Sequence, residues 1–156
     1  WESPQCSLVE GWNSRLDPLQ AAVLSVKLRY LPAATERRRK LAKGYINGLS
    51  STSMVLPVEL PWAFHAYHLF VVRLRDRAER DALRLHLENA GISSGIHYPY
   101  PVHLQPAYRH SFRSSTMEIT EQLAGTVLSL PLFPELQEET QAHIVAVLVE
   151  FFNHRS

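Results

Sequence analysis

The chain has 156 residues, 46% of them hydrophobic, so it is long enough for one globular domain with a core. Sixteen Lys and Arg residues against fifteen Asp and Glu residues leave a net charge of +1, which gives no general attraction to nucleic acid or acidic membranes. Cys6 is the only cysteine, which excludes an internal disulfide and a cysteine-based zinc site. This cysteine usage favours a reducing, cytoplasmic compartment.

The first residues carry no sign of membrane insertion or export. No apolar run approaches the roughly 20 residues that span a bilayer, and residues 1–4 do not resemble a signal peptide. The sequence begins without methionine, and residues 1–10 lack periodicity. We therefore interpret the start as a lead-in from a preceding domain and the chain as a piece of a longer protein.

Two helices are predicted next. The Asp17 side chain can accept hydrogen bonds from the free backbone amides at the start of the first helix. Pro18 suits the first helical position, and Gln20 stands where a capping box places Glu or Gln. Five residues at helical spacing are expected to bury one face of this helix: Leu19, Ala22, Val23, Val26 and Tyr30. Pro32 is expected to kink or restart the helix. The second helix, about residues 33–48, carries a narrow apolar stripe of Leu41, Tyr45 and Leu49, which predicts a peripheral helix.

The middle of the chain predicts a loop, a strand and a helix. Residues 50–62 contain serine and proline clusters and indicate a loop. Residues 66–74 are apolar on both alternating faces, which predicts a strand covered on both sides. Asp76 and Glu79 form the next helix start, Leu83 and Leu87 its buried side, and Gly91 its end.

The stretch from Gly91 to Pro106 is the best candidate for ligand contact. It holds three prolines and two glycines, too many for a helix, but is too apolar for a free linker. Residues 92–97 are predicted to pair as a strand, after which Pro99 and Pro101 stiffen the backbone beside His97 and Tyr98. A stiff loop suits ligand binding because little ordering entropy remains to be lost. The alternative is a proline-rich turn whose His97 and Tyr98 only pack.

The last third completes an α+β pattern. One helical turn is expected within residues 104–110, a helix over residues 117–127, and a short strand over residues 128–132 that Pro131 breaks. A final helix has a broad apolar stripe of Ile144, Val147, Leu148, Phe151 and Phe152. The predicted fold is therefore a short sheet covered by helices.

The sequence gives little support for a metal site, a nucleophilic catalytic site or a phosphate-binding loop. His65 and His68 would point to opposite faces of a strand, and no carboxylate accompanies His97 and His103, so no metal site is predicted. Cys6 has no evident base, and the sequence has neither a nucleophile elbow nor a glycine-rich phosphate loop. The basic run at residues 37–40 fits the solvated face of a helix better than a phosphate site.

An ordered set of motifs carries a resemblance to a known family. The motifs are Gly11-Trp12-Asn13-Ser14-Arg15-Leu16-Asp17, Gln20-Ala21-Ala22-Val23-Leu24, Ala66-Tyr67-His68-Leu69-Phe70-Val71-Val72, Gly91-Ile92, Ile96-His97-Tyr98-Pro99, His103-Leu104-Gln105 and Leu128-Ser129-Leu130-Pro131-Leu132. In this order and spacing they resemble the carboxy-terminal portion of the DegT/DnrJ/EryC1/StrS sugar aminotransferases. The resemblance covers nearly the whole chain.

The resemblance implies a fold, a reaction and a cofactor. Residues 1–17 would lead in from a missing cofactor-binding large domain, and residues 18–156 would form the small carboxy-terminal domain of the type I pyridoxal-phosphate fold with its leading helix. Such enzymes are cytoplasmic homodimers with shared active sites that transfer an amino group, usually from glutamate, to a nucleotide-linked keto-sugar. Their cofactor, pyridoxal 5′-phosphate, is held as a Schiff base on a lysine expected upstream of Gly11.

None of the lysines present matches that role, because Lys27, Lys40 and Lys43 lie in helical patterns among charged neighbours. No catalytic residue is therefore predicted within this chain, and the chain alone is expected to be inactive. The remaining alternatives are a sugar dehydratase or deoxygenase of the same family, in which histidine replaces the lysine, and a cofactor-free regulatory or binding module.

The resemblance also implies residue roles. Asn13 would reach across a dimer interface to the cofactor phosphate, while Arg15 could pair with that phosphate or with an interface carboxylate. His97 would line the sugar-nucleotide pocket with Tyr98 nearby, against the alternative that His97 only supports its loop. Tyr67, His68 and residues 128–132 are expected in the core.

Overall fold

A computed structural model describes Cys6, Leu8 and residues 16–108, 110–111 and 116–154. This part of the chain contains helices α1 (Pro18–Leu28), α2 (Leu31–Gly48), α3 (Arg77–Asn89), α4 (Glu118–Thr126) and α5 (Glu138–Asn153), strands β1 (Phe70–Arg73) and β2 (Val127–Leu130), and a 3-10 turn at Val102–Leu104. Among the described residues, no helix is both long and apolar enough to cross a membrane. The α+β fold class predicted from the sequence is confirmed.

The sheet is smaller than predicted. β1 and β2 pair antiparallel, with Phe70 opposite Leu130 and Arg73 opposite Val127. The predicted strand at residues 92–97 is wrong, because that segment meets β2 only through a single bridge between Gly95 and Ser129. β2 ends before Pro131, whose nitrogen has no proton to donate to the ladder. The predicted turn at residues 104–110 lies earlier, and Pro106 cannot donate to a continuing helix.

The core lies between α2, α3, α5 and the sheet. The largest fully buried side chains are Tyr45, Phe70, Leu41, Leu49, Leu83, Leu87, Leu128, Leu148 and Val72. The rings of Tyr45 and Phe70 lie 4.9 Å apart, and the Tyr45 hydroxyl donates to the carbonyl oxygen of Pro131 at 2.9 Å. The predicted peripheral position of α2 is therefore wrong, because its narrow stripe carries Tyr45 into the centre of the core.

α2 and α5 cross closely, and glycine permits the close approach. An added Cβ at Gly44 would lie 2.8 Å from Gln141 Oε1, and one at Gly48 would lie 2.7 Å from Val145 Cγ1. The buried amide of Gln141 donates to the carbonyl oxygen of Leu41 at 2.6 Å. The crossing therefore joins apolar packing to a buried hydrogen bond.

The basic run at residues 37–40 is paired with acidic side chains. Arg37 Nη1 and Lys40 Nζ both lie 2.6 Å from Glu138 Oε1 on α5. Arg39 Nη1 lies 2.6 Å from Glu59 Oε1. The run therefore stabilises contacts to α5 and to the loop before β1.

α1 begins as predicted but is not buried as predicted. The Asp17 carboxylate accepts from the Gln20 amide at 2.9 Å, which confirms the helix start. None of the residues of α1 is buried, and Leu19 is 76% exposed. The expectation of a buried face is wrong for the described residues, because periodicity shows that a face is apolar but not that a partner covers it.

The ends of α3 are fixed by local hydrogen bonds, as predicted. Asp76 Oδ1 accepts from the Glu79 amide at 2.8 Å. At the other end Gly91 has φ of +73°, a left-handed conformation that costs other residues free energy. The Gly91 amide donates to the Glu88 oxygen and the Ile92 amide to the Leu87 oxygen, which forms a Schellman motif. This motif sends the chain into the stretch that begins at Gly91.

Candidate functional site

The stretch after α3 forms one wall of a cavity of about 550 Å³. The cavity is lined by His97, Tyr98, Tyr100, Pro101, Val102 and Gln105 on this side and by Thr120, Leu123, Ala124 and Val127 from α4 and β2. Its size lies in the range of roughly 300–1,000 Å³ typical of small-molecule sites, which combine apolar walls with a few polar groups. The structure thus brings the two predicted substrate residues, His97 and Tyr98, to one cavity.

A hydrogen bond to strand β2 holds the His97 side chain in place. Its Nδ1 lies 2.9 Å from the hydroxyl oxygen of Ser129, a buried residue of β2. This contact occupies one ring nitrogen, so Nε2 remains as the nitrogen for a ligand. The His97 side chain therefore has a defined orientation while it stays exposed at the cavity.

Tyr98 lies against His97 and reaches outward. The two rings meet edge to face with centroids 5.6 Å apart, and the peptide bond between the residues is cis. Tyr98 is 69% exposed, so its hydroxyl can meet a ligand without prior movement of the core. Both predicted residues therefore offer polar atoms at the cavity.

A second histidine anchors the cavity wall to α4. The buried His103 ring donates from Nε2 to Glu121 Oε1 at 2.9 Å, and the Met117 amide donates to the same oxygen at 3.2 Å. The hydrogen bond from His103, followed by that from Met117, lowers the pKa of Glu121 below its ordinary value of 4.5. This pair fixes the loop over the cavity.

Sequence reasoning missed several of these residues. The pairing of His103 with Glu121 joins positions 18 residues apart, and no local pattern indicates it. Tyr100 and Gln105 line the cavity from the stretch after α3, and Thr120 lines it from α4. The sequence offers two signals here: the motif His103-Leu104-Gln105, and the density of prolines around Tyr100, which indicates a rigid wall but not what it faces.

Other predicted residues have different outcomes. Tyr67 is buried as expected, but His68 is exposed, so its predicted core position is wrong. Tyr67 has φ of +46°, which breaks the alternation of a strand, so β1 begins only at Phe70. Asn13 and Arg15 lie outside the described residues, and their roles stay predictions. No group of three or more His, Cys, Asp or Glu side chains suited to a metal ion occurs in the described ranges.

The structure thus combines an α+β fold with one candidate cavity beside His97, and comparison identifies the family. The model of the DegT/DnrJ/EryC1/StrS aminotransferase family matches residues 2–149. The chain belongs to this family.

Two curated relatives show how much of such proteins the chain represents. It is 47% identical over 142 residues to the erythromycin biosynthesis sensory transduction protein EryC1 of Saccharopolyspora erythraea, covering 90% of this chain and 38% of that protein. It is 40% identical over 139 residues to the dTDP-3-amino-3,6-dideoxy-alpha-D-galactopyranose transaminase of Aneurinibacillus thermoaerophilus, covering 89% of this chain and 37% of the relative. The chain thus spans well under half of each relative's length.

A solved structure supports the fold and the cofactor class. NtdA from Bacillus subtilis, solved with bound cofactor PMP, matches with a TM-score of 0.79 and 28% identity. The match covers 92% of this chain and 34% of that one. A protein that shares this fold has therefore been solved with the cofactor PMP bound.

The residues present do not fit covalent attachment of that cofactor. Lys40 is bound to Glu138 and its side chain is 66% exposed. Lys27 and Lys43 are also exposed. A Schiff-base lysine needs a site that is sheltered from water, and the side chains of all three lysines are exposed.

Proposed function

We propose that this chain is the carboxy-terminal, small-domain part of a longer pyridoxal-phosphate-dependent sugar aminotransferase. That protein moves an amino group from glutamate to the keto group of a nucleotide-linked sugar. The observation that carries the proposal is the family match over residues 2–149, in a chain that spans less than half of a relative named as a dTDP-sugar transaminase. In this proposal residues 1–17 lead in from the cofactor-binding domain, and residues 18–156 form the small domain.

The cavity beside His97 is the proposed sugar pocket. Leu123, Val127 and Val102 give it apolar walls that suit the carbon-bound faces of a sugar ring. His97 Nε2 and the Tyr98 hydroxyl supply hydrogen bonds to the sugar's oxygen atoms. These residues bind and orient the sugar and exclude water from part of its surface.

The cofactor contacts are shared between this chain and the rest of the proposed protein. Pyridoxal phosphate, when bound, supplies the electron sink and carries the amino group. The lysine comes from another part of the protein, since the lysines present do not fit. Asn13 donates to the cofactor phosphate of the neighbouring subunit in a cytoplasmic homodimer.

The exposed apolar surface of α1 supports a larger assembly. Leu19, Leu24 and Leu28 are each more than half exposed, and Leu24 and Leu28 line a cavity of about 910 Å³ that extends to Phe133. Contiguous apolar surface of this kind marks an interaction face. We propose that the remainder of the same subunit covers it.

One observation favours a second function. A relative 47% identical over 142 residues is named a sensory transduction protein. A cofactor-free regulatory or binding module therefore remains the competing proposal, in which the cavity holds a ligand without transferring an amino group. The related dehydratase proposal is distinguished by whether the complete protein has a lysine or a histidine at the cofactor position.

The test uses the complete gene product and a matched pair of histidine variants. We expect bound pyridoxal phosphate, seen by its visible absorption, and amino transfer from glutamate to a dTDP-linked keto-sugar. His97→Ala should raise the sugar KM roughly three- to tenfold, which corresponds to the loss of one hydrogen bond. The half-reaction with glutamate should stay unchanged. His143→Ala, at an exposed position of α5, is the control and should change neither parameter. Sugar binding without cofactor or transfer would support the regulatory alternative.

A further inference from the structure

We propose that Gly95 and Ser129 are positioning residues, which together form a seat for the imidazole of His97. The proposal deepens the function proposed above and rests on the sugar-binding role of His97. Neither Gly95 nor Ser129 lines the cavity, so the proposed role of both residues is to position His97.

The Ser129 half of the seat is a buried hydroxyl on a paired strand. The Gly95 amide donates to the Ser129 oxygen at 3.0 Å, and the Ser129 amide donates to the Gly95 oxygen at 2.7 Å. The Ser129 side chain then reaches His97 Nδ1 at 2.9 Å. Ser129 is only 5% exposed, so the hydroxyl has a fixed place in the core. The imidazole is thus tied to β2 through the Ser129 hydroxyl, and Gly95, two residues before His97, is tied to β2 through its backbone.

The Gly95 half of the seat is a missing side chain. An added Cβ would lie 2.7 Å from His97 Cε1, 3.3 Å from Nδ1 and 3.6 Å from Nε2. Its three nearest neighbours therefore all belong to one imidazole ring. The φ angle of Gly95 lies outside the left-handed region, so alanine suits its backbone. An alanine at this position would therefore have to displace the exposed His97 ring from its place beside Ser129.

The seat determines which nitrogen of the His97 ring can form a hydrogen bond with the sugar. With Nδ1 bound to Ser129 and the ring packed over Gly95, the imidazole loses few rotamers on binding. A serine hydroxyl both donates and accepts, so it supports either neutral tautomer of the ring. His97 Nε2 can therefore donate to a keto or ether oxygen or accept from a sugar hydroxyl, at a constant position in the cavity.

The test is a double-mutant cycle in the complete protein. Gly95→Ala should raise the sugar KM about as much as His97→Ala, roughly three- to tenfold, and leave the glutamate half-reaction unchanged. In the His97→Ala background Gly95→Ala should add nothing, because its clash partner is gone. Gly125→Ala is the control, since its Cβ would come no closer than 3.8 Å to Arg77 Nε. An equal effect of Gly95→Ala in both backgrounds would overturn the seat.

A second measurement separates the seat from the proposed function. Nitrogen-15 NMR of the His97 ring should show an altered Nδ1 resonance in Ser129→Ala and in Gly95→Ala, but not in Gly125→Ala. Unchanged resonances in both seat variants would overturn the seat whatever the KM values are. Altered resonances with an unchanged sugar KM in His97→Ala would support the seat and overturn the sugar-binding role of His97.

Discussion

Replacing Gly48 by alanine should destabilise the fold through a single neighbour, Val145. A Cβ at Gly48 would lie 2.7 Å from Val145 Cγ1 and 3.3 Å from Cγ2. Valine in a helix is stiff at χ1, so it cannot rotate away easily. Overpacking destabilises a fold by about 1–3 kcal/mol. The higher helix propensity of alanine relative to glycine stabilises it by at most about 1 kcal/mol. We expect a net loss of about 1 kcal/mol in the free energy of unfolding.

A double-mutant cycle isolates this contact. Val145→Ala alone removes two half-buried methyl groups and should cost about 1 kcal/mol. The double variant should be no less stable than Val145→Ala, which gives a coupling free energy of about 1–2 kcal/mol. Urea unfolding followed by circular dichroism measures all four proteins. Stabilisation by Gly48→Ala alone, or additive losses in the double variant, would refute the close crossing of α2 and α5.

Three further predictions concern other parts of the fold. Gly91→Ala should cost about 1–2 kcal/mol in thermal unfolding, because its φ is +73° although no atom would clash with the new Cβ. Hydrogen bonds from Lys40 and then from Arg37 lower the pKa of Glu138 from its ordinary value of 4.5 to about 2. The ionised Glu138 therefore stabilises the fold fully above about pH 4.5, and this stabilisation is lost as the pH falls towards 2. Glu138→Gln should flatten the stability profile in that window, and an unchanged profile would contradict the pairing. Glu121→Ala should speed amide hydrogen exchange in residues 97–105; undisturbed protection there would show that His103 does not anchor the loop.

The features that could be predicted from sequence are those set by neighbouring residues. Asp76 caps α3 and Gly91 ends it because both act within one turn of their own backbone. The segment around residues 92–97 was harder, because pairing with β2 depends on a strand more than 30 residues away, and only Gly95 pairs. The apolar face of α1 was visible in the sequence, but whether a partner covers it was not.

The candidate site divides in the same way. The prolines at 99 and 101 predicted a stiff wall beside His97 and Tyr98, and the structure places both residues at one cavity. The hydrogen bonds that hold this wall join residues that are distant in the sequence: Ser129 with His97, and Glu121 with His103. No residue pattern links these pairs before the chain folds.

The most direct test of the account follows the amino group itself. The complete gene product, supplied with pyridoxal phosphate, nitrogen-15 glutamate and a nucleotide-linked keto-sugar, should yield a labelled amino-sugar nucleotide detectable by mass spectrometry. Tight binding of the sugar nucleotide without any label in it, in a protein shown to be folded, would contradict the proposed aminotransferase.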